Sequence, residues 1–306
     1  MRAIITGGTG FIGRELAANL AKSGQEVVVL SRNPEAVEAL PAGARAVKWD
    51  GRTGDGWYQL IGADTGIVNL AGANLSDKLW SDEQKQIIRQ SRLDAGAAVV
   101  DAVERADMPP QVIIQSSGIG YYGPHGDEVL DESAPPGEDF LAEVCVGWEA
   151  STEPVEKVGV RRCIIRQGVV LGRDAKVLKR LTLPFAFFAG GVVGDGKQWL
   201  SWIHVADEVA AVRRLIEDGA ASGPFNVTAP EPTRFDALAK TLGRVMGRPS
   251  WIPAPKFAVR AAFGEMGSMV LEGQRAVPRR LLGLGFTFRY PTIEPALHNL
   301  LGKPSR

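Results

Sequence analysis

The sequence predicts an α/β fold, a doubly wound parallel sheet with a smaller C-terminal lobe, on three observations. Short β-branched runs alternate with helix-periodic segments through the first half of the chain, the pattern of parallel βαβ units. A glycine-rich turn, Thr6-Gly7-Gly8-Thr9-Gly10-Phe11-Ile12-Gly13, joins the first run to the first helical pattern. After Gly172 the alternation fails, and helical patterning broken by Pro249, Pro253, Pro255 and Pro278 fills the last third.

Strands are expected at Ala3–Thr6, Val27–Leu30, Ala44–Val47, Gly66–Leu70, Gln111–Gln115 and Arg161–Arg166. Helices are expected over Gly10–Lys22, closed by Gly24, and over Ser81–Ala106, where Ser81-Asp82-Glu83-Gln84 reads as a capping box. A third runs from about Glu138 to Lys157, kinked or ended early by Pro154. Beyond a loop-rich apolar stretch, Leu181 to Gly194, read as core, come a strand at Trp199–Ile203, a helix from about Val205 to Asp218 and a strand at Phe225–Thr228. The expected division is a cofactor domain over 1–172, to which the chain returns at about 199–228, and a substrate lobe with a helical extension over 173–306.

Composition narrows the class. The 306 residues are 45% hydrophobic and 23% charged, which excludes a disordered chain and supports a sizeable core. Lys+Arg 35 balances Asp+Glu 35, so the electrostatic drive for nonspecific nucleic-acid or acidic-membrane binding is absent. Two cysteines, Cys145 and Cys163, and three scattered histidines assemble neither a disulfide framework nor a zinc site by spacing. A reducing cytoplasm, no metal, and a monomer or homodimer are expected, with no signal peptide ahead of the turn at Gly7.

The glycine turn has the context that gives such motifs meaning, directly after a strand and opening a helix. Glycines there permit a tight turn and close backbone approach to a pyrophosphate, while the helix N-terminus supplies N–H donors. Gly7, Gly10, Phe11, Ile12 and Gly13 are therefore cofactor-binding candidates in a Rossmann-type domain. An acid about 20 residues on would accept the ribose hydroxyls of NAD, but Ser31-Arg32 stands there. A guanidinium and a hydroxyl suit a 2′-phosphate, so the expected cofactor is NADP(H). Asp50 and the run Leu70-Ala71-Gly72 follow the third and fourth strands as further contacts, with Ser116 at the end of the fifth.

These segments, with Ser116-Ser117-Gly118-Ile119-Gly120-Tyr121-Tyr122-Gly123 and Arg166-Gln167-Gly168-Val169-Val170-Leu171-Gly172, resemble an extended short-chain dehydrogenase/reductase over nearly the whole chain. Leu79-Trp80-Ser81 with Lys85, Ser91-Arg92, the run Asp139 to Cys145, Trp148-Glu149 and Trp199 to His204 resemble more narrowly its epimerase-like subfamily, called nucleoside-diphosphate-sugar epimerases, and the segment from about Trp251 to Leu300 resembles its C-terminal extension. The resemblance implies a cleft between sheet and lobe and a Tyr-x-x-x-Lys pair for proton exchange. The matching positions here are Leu141 and Cys145, which cannot perform that chemistry.

Other candidates are weighed against plainer roles. Ser117 orients a carbonyl or closes a strand-end turn; Tyr121 and Tyr122 replace the missing acid or wall the cleft. Lys85, Arg92 and Arg166 grip a substrate anion, or the first two form a solvated helix face. His204 contacts substrate or locks the returning chain, Cys145 is a nucleophile or a buried thiol, and Asp127, Glu128, Asp131 and Glu132 form a lid or a solvated loop. The function expected is an NADP(H)-dependent, epimerase-like oxidoreductase acting on a small polar molecule, nucleotide- or sugar-derived. The rivals are an NADP(H)-binding regulatory module without turnover and a purely structural interaction protein.

Overall fold

The computed structural model describes residues 1–37 and 40–302. Seven parallel strands form one sheet: β1 (Arg2–Thr6), β2 (Glu26–Ser31), β3 (Ala44–Lys48), β4 (Thr65–Asn69), β5 (Val112–Gly118), β6 (Arg161–Gln167) and β7 (Gly223–Val227), in the order 3-2-1-4-5-6-7. The first half runs outward from β1 to β3 and the second outward from β4 to β7, so the order reverses beside β1 and β4. At such a reversal the loops diverge and leave a crevice at the carboxyl ends of the strands. Register places Thr6 opposite Asn69, and Ser117 opposite Arg166, which aligns the polar strand tips there.

Alternation along each strand decides the layers. Ala3, Ile5, Val27 and Val29 join Val68, Ile114 and Ile165 under helices α1 (Phe11–Lys22) and, later in the chain, Val205–Glu217. Ile4, Val28, Ile67 and Ile113 point the other way and meet Ala95, Ala98, Val99 and Ala102 of α2 (Asp82–Arg105), as period-2 side-chain placement requires. The cap of α2 is as expected at its serine, since Ser81 Oγ accepts from Gln84 N at 3.2 Å. In α1, Ser23 is the C-cap and Gly24 follows at φ +79°. The third helix is shorter than expected. It runs as α3 (Phe140–Ala150), capped by Asp139 Oδ1 on Ala142 N, and Pro154 falls in a separate 3-10 segment, Glu153–Val158. Proline has no amide hydrogen to continue an α-helical ladder.

A separate core lies beyond the sheet, where α4 (Lys176–Ala186), α6 (Phe235–Met246) and α8 (Ile293–Leu301) pack Leu178, Phe185, Leu238, Leu242 and Leu297 around Trp202. The longer intervening helices are α5 (Val205–Glu217) and α7 (Lys256–Phe263), and two short helical segments, Ser268–Leu271 and Arg279–Gly283, precede α8. The Leu181–Gly194 stretch is only partly core: Phe185 is buried, whereas Leu183, Phe187 and Phe188 are exposed, because Pro184 and the following glycines turn the chain out of the packed layer. Short pairings sew the last third to the rest, Val129–Leu130 with Arg275–Ala276 and Trp199–Leu200 with Thr233–Arg234. No helix among the described residues is long and apolar enough to cross a membrane.

Asp207 fastens α5 to the C-terminal segment, accepting from Arg289 N at 2.8 Å and Tyr290 N at 2.9 Å. Both donors lose a charged acceptor in Asp207→Ala. That variant should lower the unfolding free energy by about 2–3 kcal/mol in a urea titration, and a change within error would show that water replaces the carboxylate.

Candidate functional site

The turn after β1 is shaped by backbone contact. Gly7 has φ +65°, and a Cβ there would lie 2.9 Å from the Leu70 carbonyl; at Gly13 it would lie 2.5 Å from Gly7 O. Side chains are thus sterically refused where α1 presses on the turn. Gly10 N-caps α1 with no side chain and no acid follows in the first turn, so the N–H groups of Phe11, Ile12 and Gly13 present an uncapped, electropositive helix end. This geometry fits the pyrophosphate of a dinucleotide. Phe11 has a packing duty as well, since its ring fills the space at Gly172, where a Cβ would come within 2.3 Å.

Thr6 Oγ1 sets the neighbouring loop. It accepts from Leu70 N and Ala71 N at 3.1 and 3.2 Å and donates to Asn69 Oδ1 at 2.6 Å, which holds Leu70-Ala71-Gly72 beside the turn. At the end of β2, Ser31 Oγ accepts from Asn33 N at 3.2 Å, and Arg32 is exposed, without an ion pair among the described residues. Asp50 is exposed too, but its carboxylate closes its own loop, accepting from Arg52 N, Thr53 N and Thr53 Oγ1. Working against desolvation, those donors hold it below the ordinary aspartate range.

A hydrogen-bond relay crosses the strand tips. Asn69 Nδ2 donates to Gln115 Oε1 at 2.9 Å, and Gln115 Nε2 to Ser116 O at 2.7 Å. Ser116 Oγ then donates to Gln167 Oε1 at 2.6 Å, and Gln167 Nε2 to Glu208 Oε1 at 2.6 Å. Glu208 is wholly buried, its second oxygen has no partner, and burial pushes its carboxyl up to about 8. Ser116 therefore serves this relay, its hydroxyl proton committed to Gln167.

A second cluster reassigns several candidates. Ser117 Oγ donates to Glu149 Oε1 at 2.7 Å, and Arg166 meets both oxygens of Glu149 at 2.9 and 3.0 Å. Arg166 also donates to Tyr122 OH at 3.1 Å and stacks 3.4 Å from the Tyr121 ring centroid. With its charge matched and its donors spent, Arg166 is a structural cation and does not grip substrate. Tyr122 is fully buried, donates to Asn226 Oδ1 at 2.7 Å, and is pushed up to about 12 by burial. It is a pillar beneath the site, and only Tyr121 of the pair stays partly accessible. Lys85 pairs with Glu265 of the extension, and His204 accepts from Ala206 N at 3.0 Å, bonds Asn299 at 3.1 Å and stacks on Tyr290 at 4.0 Å. His204 caps α5 and locks the returning chain. The acidic loop is mixed: Asp127 and Glu128 are exposed, with Asp127 bound by Trp199 and Arg234, whereas Glu132 is buried and Asp131 pairs with Arg279.

Beyond Ser117 opens a cleft of about 320 Å³. Ser117, Gly118 and Gln167 line one side, Leu141, Cys145 and Arg92 another, and Met269, Glu272 and Gln274 of the extension a third. Of the sequence candidates, the cleft gathers Ser117 and Arg92 but not Lys85, Arg166, Tyr121, Tyr122 or His204. Cys145 is pushed up to about 11, by burial and then by the nearby Glu149, so it is an unreactive thiol at neutral pH. Glu149 and Gln167 entered the sequence reading only as parts of the motifs that carry the resemblance, with no role given, and Glu208 did not enter it. The available signal was the run of polar residues, Gln115-Ser116-Ser117 and Arg166-Gln167, following directly on the apolar runs Val112–Ile114 and Cys163–Ile165.

A reversing parallel sheet with an uncapped glycine turn defines a dinucleotide-binding protein, and the comparisons specify which. Residues 3–228 match the NAD dependent epimerase/dehydratase family, and residues 254–300 match a domain of unknown function, DUF1731. The chain belongs to that epimerase/dehydratase family, as an extended, epimerase-like member. It is 38% identical over 302 residues to epimerase family protein YfhF of Bacillus subtilis, covering 98% of each chain. It is also 38% identical over 309 residues to the chloroplastic SDR39U1 homolog of Arabidopsis thaliana, covering 98% of this chain and 87% of that one. Human epimerase family protein SDR39U1, solved with NADPH, superposes with TM-score 0.88 at 31% identity over the full length of both chains.

Two variants test the buried groups. Glu149→Ala should cost about 3–5 kcal/mol by leaving Arg166 charged and unpaired, and adding Arg166→Met should recover part of the loss; equal destabilisation in single and double variants would refute the pairing. Glu208 is protonated in the folded protein up to about pH 8 but ionised in the unfolded chain above the ordinary glutamate pKa. Its contribution to stability is therefore complete below that ordinary value and declines as pH rises to about 8. Glu208→Gln should flatten this slope in denaturation midpoints measured from pH 5 to pH 8.5.

Proposed function

We propose that the chain is an NADP(H)-binding, epimerase-like oxidoreductase acting on a small polar molecule. The observation that carries this is the combination of an uncapped α1 N-terminus with an exposed Arg32 at the tip of β2 that has no ion pair among the described residues. Gly7, Gly10, Phe11, Ile12 and Gly13 hold the pyrophosphate, Ser31 and Arg32 take the 2′-phosphate, and Leu70, Ala71 and Gly72 lie against the nucleoside; Asp50 contributes its loop, not its carboxylate. The human relative solved with NADPH supports the phosphorylated cofactor. In this reading 1–172, with the return at 199–228, is the cofactor domain and 173–306 the substrate lobe.

The bound cofactor supplies a hydride at its nicotinamide. The chain itself supplies orientation: Ser117, its proton drawn onto Glu149, presents lone pairs and orients a substrate donor group. Leu141 and Cys145 occupy the positions of the resemblance's tyrosine and lysine, and neither donates a proton at neutral pH, so the proton comes from Tyr121, the substrate itself or water. The same two positions favour a second reading, a cofactor-binding regulatory module without turnover.

Calorimetry separates the cofactors. NADPH should bind at least about tenfold more tightly than NADH, with Arg32→Ala erasing the difference and Gly10→Asp abolishing both through charge and bulk at the helix end. Equal affinities in the parent protein, or a preference that survives Arg32→Ala, would remove the NADP(H) assignment.

A further inference from the structure

We propose that the cleft is built for a small organic monocarboxylate held by Arg92, and not for a nucleoside diphosphate. The inference rests on reading the cleft as a substrate site and names what that site takes. Arg92 is 7% exposed, lines the cleft, and has no carboxylate partner among the described residues. Its Nη1 donates to Ile88 O at 2.9 Å and Ala73 O at 3.1 Å, and its planar face lies 4.6 Å from the Trp148 ring. Carbonyls and an aromatic face fix the guanidinium without neutralising it. The edge formed by Nε and Nη2 has no partner among the described residues, and that edge is the fork a carboxylate matches with two parallel bonds. Burial pulls Arg92 down to about 10, so it still carries its charge at neutral pH. An uncompensated buried charge is expensive to keep, and an anionic ligand offsets that cost.

Charge count sets the class of anion. Arg166 is neutralised by Glu149 and Lys85 by Glu265, and neither lines the cleft. Two carboxylates, Asp139 and Glu272, do line it. With one guanidinium against two acids the lining has no surplus positive charge, so an anion is held only locally by the free fork of Arg92, and each charge beyond the first adds repulsion, which disfavours a diphosphate. Size agrees, since about 320 Å³ is at the small end of ligand sites, roughly 300–1,000 Å³. Leu75, Ile119, Leu141, Val144, Val169 and Met269 make the rest of the wall apolar, suited to a hydrocarbon body behind the carboxylate.

The test is calorimetry on the protein with and without saturating NADPH, using straight-chain acids from acetate to octanoate, benzoate, phenyl phosphate and UDP-glucose as probes. At least one carboxylate should bind, more tightly than phenyl phosphate, with no heat from UDP-glucose. Arg92→Lys, which keeps the charge and loses the fork, should weaken that carboxylate about tenfold, and Arg92→Gln further. Should Arg92→Gln fail to fold, Met269→Trp, which crowds the cleft from the extension, should abolish carboxylate binding by itself. UDP-glucose or phenyl phosphate binding more tightly than every carboxylate, no carboxylate binding with or without cofactor, or carboxylate binding unchanged in folded Arg92 and Met269 variants would each overturn the proposal. NADPH affinity is read separately, so a protein that takes a carboxylate but no NADPH removes the cofactor reading and leaves this one standing.

Discussion

The buried pair of Arg166 and Glu149 is the constraint on which the rest of the site depends. It ties the tip of β6 to the last turns of α3, and through Ser117 to the tip of β5. Its remaining donor and its stacked face fix Tyr122 and Tyr121, and Tyr122 passes the constraint to Asn226 on β7. Asn226 N and Arg280 N both bond the Glu132 carboxylate, so the extension is referenced to the same frame. A buried ion pair adds little net stability against apolar side chains of equal size. What it contributes here is position, because a charge that must be met at 3 Å permits few arrangements of three strand tips and a helix.

That frame explains why Ser117 can be polar, near the cleft and yet not acidic. Its hydroxyl proton is committed to a hydrogen bond with Glu149, whose charge is already matched by Arg166. The relay ending at Glu208 has the same logic with a neutral terminus. Every donor points toward a carboxyl that burial keeps protonated near neutral pH, so the strand tips carry hydrogen-bond direction without net charge. Positive potential at the crevice is thereby concentrated in the helix end at Gly10, in Arg32 and in Arg92, while the Asp139 and Glu272 carboxylates also line the cleft.

Elements defined by local pattern were legible in the sequence. All six early strands, α1, α2 and the glycine turn follow from periodicity, capping residues and glycine spacing, which act within a few residues of one another. What was not legible depended on distant partners. Arg166 reads as a free cation until Glu149 is brought to it across 17 positions, and Lys85 until Glu265 arrives across 180. Tyr121 and Tyr122 are chemically identical neighbours, and only the three-dimensional placement of Asn226 sends one into the core. Pro154 and Pro184 were visible as breakers, but the exposure of Phe187 and Phe188 depends on where the turn after Pro184 directs the chain. Arg92 differs from Lys85 by having no long-range acid among the described residues, a property no local reading of α2 reveals.

The cleft also gives the C-terminal extension a physical reason to exist. The two family models match separate segments, 3–228 and 254–300, yet the cavity is walled by both. Ser201 Oγ donates to Gln274 O at 2.8 Å and accepts from Ala276 N at 2.9 Å, and the Arg275–Ala276 strand adds to Val129–Leu130. Lys85 to Glu265 closes the far side from α2. A cleft at the end of an open sheet is flooded without such a wall, and in water a lone guanidinium attracts an anion weakly because the dielectric screens it. Excluding solvent strengthens that attraction and raises the cost of leaving the guanidinium unpaired. On the proposed reading the wall and the arginine, unpaired among the described residues, act together: the extension limits the access of water to Arg92, and Arg92 gives the cleft a charge that can hold an anion.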